Sequence, residues 1–278
     1  MNKDKILRFE DSEKYFCCPI CHKRLAFHQN SLICKNKHCY DISKYGYVNL
    51  LLKGKSDEHY SKESFANRKF ILENGFYSHI VEEILNVING MDSVRTVLDV
   101  GCGEGFYSRK LIESTTKTIL AFDISKDSIQ MAAKNDRQNR GKWFVSDLAN
   151  LPIQNKAIDC ILDIFSPSNY SEFYRVLQNN GHIIKVVPTS DHLRELREKA
   201  SEYLTHKSYS NENVLDYFSR YFAILHQKEV VSTYELSPEE RSAFLNMTPL
   251  LFNVDKEKID WSDITKITIG ATILIGKR

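Results

Sequence analysis

The sequence VLDVGCGEGFY, residues 97–107, combines a short apolar strand, a turn with three glycines and the start of a helix. Glycine lets the backbone turn sharply and approach a ligand closely, because it has no Cβ. A helix that begins directly after such a turn points unpaired N–H groups and the positive end of its dipole at the ligand. The stretch therefore predicts a nucleoside-cofactor loop in an α/β fold, with Gly101, Gly103, Glu104 and Gly105 at the cofactor.

Strands and helices alternate beyond this loop, which is typical of a parallel sheet with right-handed crossovers. The helix after the second strand begins at Ser125, a favourable N-cap. Two late segments, 223–235 and 266–275, are predicted to add an antiparallel edge hairpin. Ahead of the loop, apolar spacing predicts helices at 63–73 and 78–89. The predicted parallel strands cover residues 94–100, 118–123, 142–146, 157–165 and 182–187.

Three carboxylates close successive strands and distinguish between two kinds of cofactor. Asp123 follows the second strand and can accept both ribose hydroxyls, as in nucleotide-binding folds generally. Asp99 precedes the glycine turn, where it would repel a dinucleotide pyrophosphate but favour the ammonium and sulfonium groups of S-adenosylmethionine. Asp147 follows the third strand and can accept the adenine amino group. The set predicts S-adenosylmethionine, although each carboxylate alone is equally compatible with a helix cap or a turn.

The end of the fourth strand supplies the candidates for contact with the substrate. Phe165 is placed to stack on a flat substrate, or to be a core residue before the turn at Ser166-Pro167. Asp163 lies two residues earlier on the same face of a regular strand. It is a candidate proton acceptor, with a structural role as the alternative.

A cysteine-rich head precedes this domain. Five of the seven cysteines fall within residues 17–39, where Cys18-x2-Cys21 and Cys34-x3-His38 are separated by twelve residues. Two such pairs can converge on one tetrahedral, structural Zn²⁺. Cys39 is an alternative to His38 as the fourth ligand. Cys17 is interpreted as a bystander.

Charge and composition support a division into two domains. Residues 1–55 hold 11 Lys and Arg against 5 Asp and Glu, whereas the whole chain carries a net charge of only +2. We therefore predict a basic, zinc-binding, RNA-recognition domain at 1–55, with a linker to about 62, and a catalytic domain at 63–278. Residues 1–14 are polar and are expected to be frayed.

The overall composition excludes global disorder, since 42% of the residues are hydrophobic and 27% are charged. No apolar stretch approaches the length of a membrane span. The N-terminus lacks the apolar region of a secretory signal. These observations predict a cytoplasmic protein.

Taken together, these motifs resemble the bacterial 23S ribosomal RNA (guanine-N1)-methyltransferases over nearly the whole chain after residue 15. The similarity is carried by CPIC (18–21), YDISKYGYVNLL (40–51), RKFILENGFY (68–77), LDVGCGEGFYS (98–108), FDISK (122–126), FSP (165–167), HLRELRE (192–198) and MTPL (247–250). The resemblance implies a Rossmann-like class I methyltransferase domain with a small zinc-binding domain. It also implies 23S RNA as the partner, and a homodimer whose two heads flank an RNA cleft.

The resemblance also assigns roles to single residues. It aligns His38 with the fourth zinc ligand, and it implies that Tyr77 and His192 close over the methionine end of the cofactor. Independently of the resemblance, Arg68 and Lys69 lie in the predicted helix next to the linker. They are candidates to contact RNA phosphate, with a solvated helix face as the alternative. Asp163 stands where some members of the family have Arg. In this respect the chain is more similar to the Gram-positive branch, which targets a neighbouring guanine in the same loop and can affect sensitivity to macrolides such as tylosin.

The expected reaction is methylation of guanine N1 in a hairpin loop that lines the peptide exit tunnel. That base has to leave its stack before it reacts. Two alternatives remain open from the residues alone. One is a small-molecule methyltransferase with a zinc head, and the other is a non-catalytic RNA-binding protein on the same scaffold.

Overall fold

The computed structural model describes residues 3–52, 62–204 and 210–278. Within these residues, three short strands near the N-terminus form one sheet, and eight further strands form a second, larger sheet with helices on its faces. The predicted linker falls almost entirely on residues 53–61, which lie outside the described residues.

The small sheet is antiparallel and contains β1 (Leu25–His28), β2 (Ser31–Cys34) and β3 (Cys39–Asp41). His28 pairs with Ser31, so the chain reverses over Gln29 and Asn30. A hairpin therefore lies between the two cysteine pairs. Gln29 takes the turn with a φ of +55°.

The large sheet has the order β10-β11-β9-β8-β5-β6-β7-β4. Strands β4 to β9 run parallel where they pair directly, and β11 is antiparallel to both of its neighbours, β9 and β10. The predicted edge hairpin is therefore confirmed. The strands are β4 (Tyr47–Asn49), β5 (Thr96–Val100), β6 (Thr118–Asp123), β7 (Lys142–Val145), β8 (Ile158–Ile164), β9 (Leu177–Pro188), β10 (Ala223–Glu235) and β11 (Lys266–Lys277).

Helices cover both faces of this sheet and bury its apolar side chains. Ser125 caps α5 by accepting the Ser128 N–H, and Ser237 forms a capping box with Glu240 at the start of α9. The helices are α1 (Lys3–Leu7), α2 (Lys62–Glu73), α3 (Ser78–Asn89), α4 (Phe106–Ser114), α5 (Lys126–Asn135), α6 (Tyr170–Val176), α7 (Arg194–Lys199), α8 (Glu212–Ser219) and α9 (Pro238–Met247).

The N-terminal segment is anchored, so the expectation that residues 1–14 are frayed is wrong for the described part. Phe9 is fully buried and contacts Phe16, which packs edge-on against Phe144 of β7. The Arg8 guanidinium lies 3.5 Å from the Asp136 carboxylate, with both side chains buried. The polar composition concealed these anchors, because a few buried side chains scattered among polar residues carry the docking.

Strand β4 joins the predicted head to the large sheet. Its residues belong to the predicted 1–55 domain, yet Tyr47–Asn49 pairs in parallel with Trp143–Val145 of β7. The N-terminal unit that contains β1–β3 (the ribbon) shares an apolar core with the predicted catalytic domain. Strand β4 adds backbone hydrogen bonds between the two. No helix in the described parts of the chain is both long and apolar enough to cross a membrane.

The strand order reverses between β5 and β8, because β6 lies on one side of β5 and β8 on the other. In open α/β sheets, ligands bind at such a switch point, outside the carboxyl ends of the strands. The glycine turn after β5 and the Phe165 turn after β8 meet at this point.

Candidate functional site

The glycine turn adopts a conformation that side chains rarely allow. Gly101, Gly103 and Gly105 have φ values of +64°, +56° and +78°. A Cβ on Gly101 would lie 2.2 Å from Ser166 Oγ, and one on Gly105 would lie 2.7 Å from Trp143. At Gly103 the nearest atoms would be 3.9 Å away. The absence of a side chain at Gly101 and Gly105 thus lets Ser166 and Trp143 pack closely against the turn, whereas Gly103 borders open space.

That open space is a first cavity of about 310 Å³ at the carboxyl ends of β5, β6, β7 and β8. Gly101, Gly103, Asp123, Asp147 and Phe165 are among its lining residues. The residues predicted from four separate strand ends therefore meet at one site.

The Asp123 carboxylate connects two backbone segments of the cavity wall by hydrogen bonds. Its Oδ2 accepts the Gly103 N–H at 2.9 Å, and its Oδ1 accepts the Ser125 N–H at 2.8 Å. Each carboxylate oxygen has more than one acceptor position, so these bonds orient the group and leave it able to accept ribose hydroxyls. Asp147 is held similarly, since its Oδ1 accepts the Ala149 N–H at 2.8 Å.

Asp99 and Glu104 lie behind the glycine turn, outside the lining of the first cavity. Asp99 Oδ2 accepts the Ser108 hydroxyl at 2.6 Å. Burial raises the pKa of Asp99 to about 7, and the nearby Asp163 and Glu104 carboxylates contribute. Burial also raises the pKa of Glu104, while Arg68 opposes this rise. Direct contact of these two side chains with a cofactor stays a prediction.

A second cavity of about 450 Å³ adjoins the first, and Arg68, Phe165 and Ser166 line both. Tyr77 and His192 lie in the wall of the second cavity. The remaining lining residues include Lys185, Arg197, Met247, Thr248 and Leu250. Tyr77 and His192 therefore lie in the wall of the second cavity, which adjoins the first cavity at the predicted cofactor loop.

Three rings form one side of the second cavity. The Phe165 and His192 rings stack at 5.4 Å and 28°, and Tyr77 meets both of them edge-on. Phe165 has a φ of +50°, which is an unusual backbone conformation for an aromatic residue. Its N–H donates to Val186 O at 3.0 Å. The turn therefore aims a ring into the cavity at the cost of backbone strain.

His192 is held as a neutral ring. Burial lowers its pKa to about 4, and the charge of Arg197 adds to this effect. Its Nδ1 lies 3.4 Å from the Gly270 N–H, which donates to it. A neutral ring that accepts at Nδ1 carries its proton on Nε2.

Asp163 is paired and fully buried, with a side-chain exposure of 0%. Its Oδ2 accepts from Lys185 Nζ at 2.9 Å and from the Ser168 hydroxyl at 2.7 Å. Lys185 also donates to Ser166 O at 2.8 Å and to Ser168 Oγ at 2.9 Å. Burial raises the pKa of Asp163, and Lys185 opposes this rise. The pair supports the turn that carries Phe165, and Asp163 as proton acceptor remains untested.

Sequence reasoning missed Lys185 altogether. It interrupts the apolar run HIIKVVP of β9, where a lysine must find a buried partner. Arg68 was predicted for RNA, but it lies at the junction of the two cavities with its Nε 3.4 Å from Glu104 Oε2. Lys69, its neighbour, donates from Nζ to Asn135 Oδ1 at 3.3 Å.

The cysteine pairs of the ribbon converge as predicted. The ligand atoms of Cys18, Cys21, Cys34 and His38 all lie within 4.8 Å of one another. Cys21 Sγ is 3.7 Å from Cys34 Sγ, and His38 Nδ1 is 3.3 Å and 3.5 Å from the sulfurs of Cys18 and Cys34. Tetrahedral Zn²⁺ holds sulfur and nitrogen ligands roughly 3.5–3.8 Å apart. The donor set and its spacing fit zinc.

The two remaining ribbon cysteines lie outside this cluster. Cys39 is exposed on β3, and Cys17 is buried in a bridge opposite Arg24. Among the described residues, the geometry therefore selects His38 over Cys39, in agreement with the resemblance.

Two family profiles match the chain. A zinc-ribbon profile described as "RlmA, N-terminal" matches residues 16–52, and a methyltransferase-domain profile matches residues 97–181. Together with the strand order, these matches confirm the predicted Rossmann-like methyltransferase with a zinc-binding head.

Curated relatives match over nearly their full length. One from Bacillus subtilis (strain 168), named "Putative 23S rRNA (guanine-N(1)-)-methyltransferase YxjB", is 34% identical over 277 residues, covering 95% of this chain and 97% of the relative. The 23S rRNA (guanine(748)-N(1))-methyltransferase of Streptomyces fradiae is 25% identical over 272 residues, covering 94% and 96%.

Solved structures agree on the fold. The phosphoethanolamine N-methyltransferase 2 of Haemonchus contortus, solved with S-adenosyl-L-methionine, superposes with a TM-score of 0.50 at 14% identity. The match covers 80% of this chain and 58% of that one. At this identity the likeness bears on the fold alone.

Proposed function

The chain belongs to the 23S rRNA (guanine-N1)-methyltransferase family, and we propose that it methylates N1 of a guanine in a 23S rRNA hairpin loop near the peptide exit tunnel. S-adenosylmethionine is the methyl donor of such a methyltransferase domain, and the zinc is structural. The observation that carries the proposal is the pair of adjoining cavities, which share Phe165 and Ser166. One cavity suits a nucleoside cofactor, and the other suits a flat base.

We assign the first cavity to the cofactor. Asp123 would accept the ribose hydroxyls and Asp147 the adenine amino group, while Gly101 and Gly103 give the ligand access to the backbone. Asp99, Glu104 and Gly105 would act from behind the turn. Tyr77 and His192, at the far end, would border the methionine portion. This arrangement points the reactive end of the cofactor at the shared wall.

We assign the second cavity to the guanine. A base that lies against Phe165 would have one face covered. The polar groups that line the second cavity would contact the edge of the base. S-adenosylmethionine supplies an electrophilic methyl group on sulfonium. N1 must lose its proton before or during attack, and it displaces the sulfonium sulfur in line. The contribution of the chain is chiefly to extrude, orient and desolvate the base.

RNA contacts outside the cavities would fall on the basic head. A groove of about 630 Å³ lies between the ribbon and the segment after β7. His22, Lys23 and Arg24 are exposed on its ribbon side. Lysine and arginine side chains in such a position bind phosphates without reading sequence. This supports the use of residues 1–55 for RNA recognition and of 63–278 for catalysis.

We propose a homodimer that works in the cytoplasm, where its ribosomal substrate is made. Strand β10 offers a place for the interface, because it ends the large sheet and is mostly exposed, Leu225 by 55%. Light scattering during gel filtration would give the mass directly.

The test of function is methyl transfer from labelled S-adenosylmethionine to unmodified 23S RNA, followed by nucleoside mass spectrometry. We expect 1-methylguanosine and a reverse-transcriptase stop at one guanine, because N1 methylation blocks pairing. RNA in which that guanine is replaced by adenine is the matched control. The position of the stop in unmodified RNA would show whether this chain methylates the guanine 748 that is named for the Streptomyces relative. No incorporation by a zinc-loaded protein, on free RNA or subunits, would contradict the proposal.

A further inference from the structure

Arg68 occupies a distinctive position among the charged residues of the site. It lies on the second turn of α2, lines both cavities, and has a side chain that is 28% exposed. Its Nε is 3.4 Å from Glu104 Oε2, whose side chain is only 1% exposed. A Cβ built on Gly103 would lie 3.9 Å from Arg68 Nε. The guanidinium therefore lies over the glycine turn, where the two cavities join.

The methionine end of the cofactor carries a carboxylate that the rest of the site would repel. Asp123 lines the first cavity, and Asp99 and Glu104 are buried behind it. These groups favour the ammonium and the sulfonium but disfavour a further anion. A cation beside the α-carboxylate would therefore favour binding of the whole cofactor.

The other cations of the two cavities are less favourably placed for the cofactor. Lys185 directs its ammonium to Asp163, to Ser166 O and to Ser168 Oγ, which matches its three donors. Arg197 donates from a terminal nitrogen to His192 O at 2.9 Å, on the side of the second cavity only. Arg68 is the cation that borders both spaces among the described residues.

A guanidinium can serve two carboxylates at once. It presents five N–H donors in a planar fork, so contact of Nε with Glu104 is compatible with a second carboxylate at the terminal nitrogens. We propose that Arg68, oriented by Glu104, binds the α-carboxylate of the cofactor's methionine portion. The inference rests on the proposed function for the identity of the cofactor, and it makes Arg68 a specificity residue for intact S-adenosylmethionine.

The test compares two ligands that differ by the amino-acid portion. S-adenosylhomocysteine carries the carboxylate, whereas 5′-methylthioadenosine keeps the nucleoside and the sulfur without it. Calorimetric titration of the full chain should show that R68Q weakens S-adenosylhomocysteine binding by about 10- to 100-fold, the range for a charge-assisted pair. Binding of methylthioadenosine should change less than about 2-fold. R68K should give an intermediate loss, because lysine keeps the charge but lacks the fork.

K69Q is the matched control, since Lys69 is the next residue of the same helix and bonds to Asn135 instead. It should leave both affinities unchanged. Equal losses for the two ligands in R68Q would mean that Arg68 only shapes the cavity, and would overturn the inference. Unchanged cofactor affinity with weaker RNA binding would overturn it in favour of an RNA contact. A wild-type protein that binds neither ligand would contradict the proposed function itself.

Discussion

Replacement of Lys185 by methionine separates a supporting role of Asp163 from a role as proton acceptor. Methionine keeps most of the side-chain length but removes the ammonium, so Asp163 would remain at 0% exposure without its ion pair. Removal of one partner of a buried pair costs about 3–5 kcal/mol. At roughly 2–4 °C per kcal/mol in large domains, Tm should fall by about 6–20 °C. Ser168→Ala, which removes one hydrogen bond to the same carboxylate, should cost only about 1–2 kcal/mol.

The pH dependence of this loss has a definite sign. Burial raises the folded-state pKa of Asp163, so the folded protein binds a proton more tightly than the unfolded chain does. The contribution of such a group to stability falls as pH rises above the unfolded value of about 3.9. Without the opposing charge of Lys185, the K185M protein should therefore lose more stability at pH 8 than at pH 5.5. Urea unfolding at the two pH values measures the difference.

Asp163→Asn and the double variant complete a thermodynamic cycle. We expect a coupling free energy of about 2 kcal/mol or more, because each single change leaves its partner buried without a charge to face. Methyl transfer should weaken in K185M as well as in D163N, since both disturb the Phe165 turn. Single costs below about 1 kcal/mol, together with lost turnover in D163N alone at unchanged cofactor affinity, would refute this reasoning and make Asp163 the base.

Three other perturbations test separate parts of the site. Cys21→Ser should lower the zinc content from one ion per chain towards zero, while C39S keeps it; equal content in both would contradict the assigned ligand set. Gly103→Ala should cost about 1–2 kcal/mol through its positive φ and place a methyl group in the first cavity, so S-adenosylhomocysteine affinity should fall by calorimetry. Because burial lowers the pKa of His192 to about 4, the unfolding free energy should decline from pH 6.5 to 4 more steeply in wild type than in H192Q; parallel declines by urea titration would argue against a buried neutral ring.

Local signals made much of the fold predictable from sequence. The predicted strand 118–123 and β6 have the same bounds, and α2 and α3 begin and end within one residue of the predicted helices. Apolar runs bounded by glycine or by a capping serine determine such elements almost by themselves. The predicted strand 182–187 was less accurate, because β9 extends back to Leu177 through polar residues that pairing with β8 and the chain end stabilise.

Contacts between distant residues could not be read in this way. Arg8 and Asp136 form a buried pair across 128 positions, and β4 adds to the large sheet although it follows the ribbon directly in sequence. Neither contact has a local pattern. The zinc ligands were predictable because their spacing is itself local. The spacing left His38 and Cys39 both open, and the family resemblance and the coordinates agree on His38. Adjacent residues point in different directions, and only His38 turns towards the sulfurs.

The two cavities that we propose for the cofactor and the base are joined by one close contact, and this constrains how each can vary. Ser166 lines both cavities, and its Oγ occupies the space that a Cβ on Gly101 would need. Lys185 Nζ donates a hydrogen bond to the carbonyl oxygen of the same Ser166. Because the cofactor turn and the Phe165 turn pack directly on each other, a side chain at Gly101 would push on the base site as well as on the cofactor site. The glycine is therefore required by the neighbouring turn. On the proposed assignment, the same packing would set the position of the base ring relative to the methyl donor.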